Sequence, residues 1–152
     1  MSRAGERGFT LIEMMIVVAI IAILVAILVP NFMRARAQAQ TAACEGNLKE
    51  IATALELYQT DHEAYPDVTS PTNVTSTDTN IGQYLRQTPI DPVNPSGYYQ
   101  YQVANYSSGN ASYTIICPGQ HDPATLSALG GTASAEHIQY ASSSGFTAVA
   151  SQ

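Results

Sequence analysis

Apolar residues follow three regimes along this chain. From Phe9 to Met33 they form a nearly continuous run, unbroken between Met14 and Val29. From Arg34 to Glu63 they recur at a helical interval: Cys44, Leu48, Ile51, Leu55 and Tyr58 stand at steps of four, three, four and three. Beyond Tyr65 they come in short bursts between clusters of Ser, Thr, Asn, Pro and Gly. The first regime predicts a helix apolar on every side, which must be covered by lipid or by protein. At about 1.5 Å per residue, residues 9–33 cover roughly 35 Å, enough for a hydrocarbon core of about 30 Å. The second regime predicts an amphipathic helix, with Lys49, Glu50, Glu56 and Gln59 off the apolar stripe. Gly46 weakens that helix by about 1 kcal/mol relative to Ala without ending it. Pro66 disfavours helix at Tyr65, so the helix stops near His62.

The third regime reads as a small β-rich head. Residues 67–80, DVTSPTNVTSTDTN, have no periodicity and predict an exposed loop. Ile81, Tyr84 and Leu85 share a face, which predicts a short helix over 81–86. Pro89, Pro92 and Pro95 then forbid regular structure. Tyr98–Ala104 and Ala111–Cys117 alternate as strands, with a turn at 105–110. Residues 118–134 read as loop with a helical turn at 124–129, and 137–141 and 146–150 form a hairpin about Ser142–Gly145. The predicted fold class is α+β: a long N-terminal helix packed against an antiparallel sheet of about four strands. The chain divides into an apolar helix (9–33), an amphipathic continuation (34–63) and a head (64–152).

Composition narrows the function. Twelve acidic residues face six basic ones, and Arg3, Arg7, Arg34 and Arg36 flank the apolar run. The distal part is therefore acidic, which argues against nucleic-acid binding there, since phosphate contacts need clustered Lys and Arg. No Gly-x-Ser-x-Gly, P-loop or dinucleotide fingerprint occurs, and Ser142, Ser143 and Ser144 have no evident base. No enzymatic activity and no cofactor are expected; a membrane-anchored periplasmic enzyme or binding protein is the lesser reading, and it would need a catalytic constellation in the head that the sequence does not display. His62, His121 and His137 lack His-x-x-x-His spacing and there is no Cys-x-x-Cys. His121-Asp122 in a loop could bind a metal, but a solvated turn is the stronger reading, and no metal site is expected. Asn73, Asn105 and Asn110 begin Asn-x-Ser/Thr patterns, a weak glycosylation signal.

One charge, Glu13, stands inside the apolar run, where a carboxylate is costly and by default functional. The run also lacks the small-residue cleavage site that follows a secretory signal. The stretch RGFTLIEMMIVVAIIAILVAILVP resembles the class III signal and N-terminal helix of type IV pilins and type II secretion pseudopilins, through Arg7, Gly8, Phe9, Thr10, Leu11, Ile12, Glu13 and Pro30. The segments NLKEIATALELYQTDHEAYP and PIDPVNPSGYYQYQV are similar to later parts of the same proteins.

That resemblance implies a leader, residues 1–8, cut between Gly8 and Phe9 by a prepilin peptidase, with methylation of the new Phe9 amine. It implies a single membrane pass with a cytoplasmic N-terminus, then extraction into a homo-oligomeric helical filament, pilus or periplasmic pseudopilus. The implied partners are the inner-membrane assembly platform and minor pilins. Glu13 would meet the Phe9 amine of a neighbouring subunit, selecting register because either charge alone is costly in an apolar bundle. Snorkelling of Glu13 to the interface is the alternative. Pro30 is expected to kink the helix, since periodicity resumes after it; a helix end at Asn31 is the other reading. Cys44 lies on the buried stripe and Cys117 at a strand end, in a part of the chain held outside the cytoplasm. A Cys44–Cys117 disulfide is therefore expected, with two free buried thiols as the alternative. Major pseudopilins often carry a C-terminal calcium loop of clustered Asp. After Gly130 this chain has Glu136 and no Asp, so that site is not carried over. This absence, the cysteine spacing and the long Ser/Thr loop tilt the expectation toward a pilus subunit over a secretion pseudopilin.

Overall fold

The computed structural model describes residues 8–104, 111–126, 137–143 and 145–149. The chain falls into two compact units, one through Arg36 and one from Ala37 onward. Helix α1 (Leu11–His62) runs through both. It continues past Pro30 without a break in the helical assignment, so Asn31 does not begin a loop. Proline has no N–H to offer the carbonyl four residues earlier. One residue on, Asn31 Nδ2 donates to the Ile27 carbonyl at 3.3 Å. At its C-terminal end α1 stops at His62, and Glu63 takes a φ of 57°, a left-handed cap like that which commonly closes helices.

The first unit is apolar on all sides. Phe9, Leu11, Ile12 and the Ile, Val, Leu and Met residues from 14 to 33 are exposed in the isolated chain. Such a surface needs a lipid or protein cover.

In the second unit, α1 buries the predicted stripe: Cys44, Leu48, Ile51 and Leu55 are inaccessible, with Thr41, Ala52 and Ala54 beside them. Tyr58 is half-buried at the edge. The partner surface is an antiparallel meander in the order β1 (Thr72–Asn73), β2 (Gln100–Ala104), β3 (Ser112–Ile116), β4 (His137–Ala141) and β5 (Gly145–Val149). Alternation decides which residues enter the core. Tyr101 and Val103 of β2, Tyr113 and Ile115 of β3 and Ile138 of β4 are buried, and their chain neighbours are not. Gly145 adopts a φ of 73° where the β4–β5 hairpin re-enters the sheet, a conformation that favours glycine.

The four longer strands stand where alternation predicts them. The departure is β1, inside the segment predicted to be loop throughout: Thr72 and Asn73 pair with Tyr101 and Gln100, and Val74 behind them is fully buried. Two residues carry no period, and the pairing partner lies far along the chain. The expected helix at 81–86 is one 3₁₀ turn, Gly82–Tyr84, and the turn at 124–129 is α2, Pro123–Leu126. The turn at 105–110, with Asn105 and Asn110, lies outside the described residues; Asn73 is exposed.

Polar bonds lock α1 to the head around the apolar seam. Glu56 accepts from the hydroxyls of Tyr113 (2.8 Å) and Tyr65 (3.1 Å). Asp61 accepts from Tyr84 (2.6 Å), and Asn47 Nδ2 donates to the Ile90 carbonyl (2.8 Å) and the Tyr99 hydroxyl (3.0 Å). The Tyr65 and Tyr113 rings meet edge to face at 5.4 Å. Burial and the Glu56 charge push the Tyr65 phenol up to about 12, and burial pushes Tyr101 up to about 12.

Candidate functional site

Two places carry chemistry, one in each unit. In the first, Gly8 and Phe9 lie exposed ahead of α1, and among the described residues nothing stands within 4 Å of where a Gly8 side chain would begin.

Thr10 and Glu13 form a reciprocal cap at the helix start. The Thr10 backbone N–H donates to Glu13 Oε2 at 2.8 Å, and the Thr10 hydroxyl donates to the same oxygen at 2.6 Å. The Glu13 N–H approaches Thr10 Oγ1 at 3.3 Å. This is a capping box: an N-cap Thr and a Glu three residues later satisfy backbone donors that the first helical turn leaves free. Thr10-x-x-Glu13 is its sequence signature, whereas the expectation for Glu13 rested on its charge alone, as partner of a neighbour's Phe9 amine or as a side chain snorkelling to the interface. Glu13 thus has a local role in the single chain before any neighbour arrives. Among the described residues both short bonds fall on Oε2, so the second carboxylate oxygen is not tied into the cap.

The second place is buried under the head. Cys44 from α1 and Cys117 from the end of β3 form a disulfide, with Cα atoms 6.8 Å apart. Two further side chains converge on it. Asp91 comes from the proline-rich segment and is fully buried; its Oδ2 lies 2.7 Å from Cys117 Sγ. His121 follows Cys117 by four residues, and its Nε2 lies 3.1 Å from the same sulfur. The expected solvated turn at His121-Asp122 is half right. Asp122 is exposed and caps α2 through the Ala124 N–H (2.8 Å), whereas His121 is turned inward and is only 5% exposed. The chain bends at Gly119, between Cys117 and His121.

Each inward group is held. Asp91 Oδ1 accepts from the backbone N–H groups of Val93 (2.6 Å) and Asn94 (2.7 Å). Gly119 packs against this carboxylate so closely that an added Cβ would stand 2.5 Å from Oδ1. His121 Nδ1 faces Thr41 Oγ1 at 3.5 Å, and Thr41 in turn contacts Thr125 Oγ1 at 3.0 Å. Burial depresses the His121 pKa below that of a free imidazole, with the nearby Asp91 charge opposing the shift. Burial, and to a lesser degree Asp91, push the Tyr99 phenol above its usual value.

The predicted site residues fall in different units. Gly8, Phe9 and Glu13 belong to the helix entry, Pro30 lies within α1, and Cys44 and Cys117 join inside the head. Asp91 is not singled out by the sequence, and His121 stands out there only as half of the His121-Asp122 turn, with a metal as the lesser reading. The usable signal was the Cys117-x-x-x-His121 spacing; Asp91 reaches the cluster only through the tertiary fold.

Known proteins match this chain in two parts. Residues 3–29 match the prokaryotic N-terminal methylation motif, and residues 31–138 match the family described as type II secretion system (T2SS), protein G. The type II secretion system core protein G of Pseudomonas aeruginosa is 37% identical over 140 residues, covering 86% of this chain and 87% of that protein. Its counterpart from Vibrio cholerae is 33% identical over 123 residues, 76% of this chain and 83% of that protein. The type IV major pilin of Myxococcus xanthus is 48% identical over 62 residues, 41% of this chain and 28% of that protein. With the protein G match spanning the second half of α1 and most of the head, and the methylation motif on the apolar helix, this chain belongs to the type II secretion protein G family of pilin-like proteins.

Proposed function

We propose that this chain is a structural, non-enzymatic subunit of a type II secretion pseudopilus. The observation that carries the reading is the extent of the protein G match: it covers residues 31–138, and the aligned relatives span most of the chain. In this reading the chain waits in the inner membrane with its N-terminus in the cytoplasm. A prepilin peptidase cuts after Gly8 and methylates the Phe9 amine. The assembly platform then lifts the subunit into a homo-oligomeric helical filament beneath minor pilin-like subunits. The apolar faces of residues 9–33 exchange lipid for each other. Glu13 turns its second carboxylate oxygen to the Phe9 amine of a neighbour, and a subunit out of register leaves both charges desolvated and unmatched.

A type IV pilus subunit is the second reading. It is favoured by the higher identity, 48%, to the Myxococcus pilin over a shorter stretch, and by the lack of a C-terminal Asp cluster after Gly130. Deleting the gene and comparing secreted proteins with sheared surface fibres separates the two. The pseudopilus reading expects secreted enzymes trapped in the periplasm and unchanged fibres. Normal secretion, with loss of a fibre whose main band is this chain cut before Phe9, replaces it with the pilus reading.

A further inference from the structure

The cluster beneath the head goes beyond filament assembly. Cys44, Asp91, Cys117 and His121 are all buried, and one ligand atom from each lies within 4.8 Å of the others. In the disulfide neither sulfur carries a proton. The 2.7 Å approach of Asp91 Oδ2 to Cys117 Sγ is then a contact between two electron-rich atoms, not a hydrogen bond. A buried carboxylate and a buried imidazole nitrogen aimed at sulfur are unusual neighbours for a disulfide and usual neighbours for a cation.

We propose that in its dithiol form the head holds a tetrahedral zinc(II) site made of Cys44 Sγ, Cys117 Sγ, His121 Nε2 and Asp91 Oδ2, and that closing the disulfide expels the metal. Two thiolates, one imidazole and one carboxylate are a borderline-soft set of four, which suits zinc and not calcium or magnesium. Ligand bonds of about 2.0 to 2.3 Å place ligand atoms about 3.3 to 3.8 Å apart. The Sγ–Nε2 separation of 3.1 Å and the Sγ–Oδ2 separation of 2.7 Å need to open by less than about 1 Å to meet this. The Cα separation of 6.8 Å is at the long end of the disulfide range, so the sulfurs can part with little backbone movement.

The surrounding groups are those that a zinc site uses. His121 Nδ1 faces a hydroxyl, Thr41 Oγ1, which leaves the Nε2 lone pair for the metal. Asp91 Oδ1 keeps two backbone donors while Oδ2 points inward. With Cys44, Asp91 and Cys117 inaccessible and His121 only 5% exposed, no approach is left for a substrate, so the site is structural and not catalytic. The chemistry balances. Zinc binding releases the two thiol protons. A disulfide oxidant then takes two electrons from the two thiolates, the sulfurs bond to each other and zinc(II) leaves. A dithiol reductant returns two electrons and two protons and restores the site.

The test uses the full chain in detergent, reduced by a phosphine without oxygen, then given zinc(II) or cobalt(II). The reduced protein is expected to take up one metal per chain, and cobalt to show the visible bands of a tetrahedral thiolate complex. The oxidised protein and the Cys44→Ser/Cys117→Ser variant are expected to take up none. His121→Gln and Asp91→Asn are each expected to weaken binding at least about tenfold. If the reduced wild type unfolds by circular dichroism, one equivalent of zinc is expected to refold it. The proposal is overturned if the reduced wild type binds no more metal than the double serine variant, if cobalt is six-coordinate without thiolate bands, if His121→Gln and Asp91→Asn leave affinity unchanged, or if zinc fails to refold an unfolded reduced chain.

Discussion

Breaking the Cys44–Cys117 link should cost the head a large part of its stability. The two cysteines are separated by 73 positions, and the bridge joins the docked half of α1 to the end of β3. In the chain-entropy model, closing a loop of this length removes about 4 kcal/mol of unfolded-state freedom. Net stability of a domain is about 5 to 15 kcal/mol, so the reduced, metal-free head should be marginal. With an m-value of about 2 kcal/mol per molar urea, the midpoint should fall by about 2 M. The assay is urea unfolding of the full chain in detergent with a chelator present, oxidised against reduced. The protein has no Trp and nine Tyr, so tyrosine fluorescence and near-ultraviolet dichroism report the head. Cys44→Ala/Cys117→Ala should match the reduced wild type, because both lose the same link. Equal midpoints for oxidised and reduced protein would refute the argument: the helix–sheet seam would then hold without the bridge.

Two further outcomes separate other roles. Glu13→Gln keeps an oxygen that can accept from the Thr10 N–H, whereas Glu13→Ala keeps neither cap nor charge. Both should be cut after Gly8 and inserted normally, as read by mass and membrane fractionation, and both should fail to assemble; filaments of normal yield from Glu13→Gln would mean that the cap and not the charge is what assembly needs. Alkaline pH should unfold the head. Tyr65 and Tyr101 are raised to about 12 from 10.0, so the unfolded chain loses these protons first, and their contribution is whole below pH 10 and lost toward pH 12. A melting temperature that is flat across that window while tyrosinate absorbance rises would show that these phenols titrate without linkage to folding.

Much of this molecule is legible in its sequence because its rules are local. A run of apolar residues, a stripe at steps of three and four and alternation in Tyr98–Ala104 each specify an element without reference to anything distant. The capping box was equally local. It went unread because a carboxylate in an apolar run draws attention to its charge, and Thr10 looks like background. What could not be read is what the fold alone juxtaposes. Thr72 and Asn73 become strand only because β2 offers an edge. Asp91 sits among prolines that forbid periodicity, and nothing nearby in sequence says that it faces Cys117 from across the head. The cysteine spacing and Ser/Thr loop leaned toward a pilus, whereas the match over 31–138 belongs to protein G.

The position of the cap has a consequence for the cut itself. Thr10 begins the helix one residue beyond the proposed new N-terminus, so the bonds that start α1 survive loss of the leader. Substrate and product share one helix, and no refolding need follow cleavage. The change is electrical. In the proposed reading, a cut before Phe9 would leave an ammonium beside the end of α1 where the backbone dipole is already positive, and cations are unwelcome there. Such a cut would turn a settled helix start into a frustrated one. The proposed pairing with Glu13 of another chain would relieve it, so a freshly cut subunit would be driven toward company.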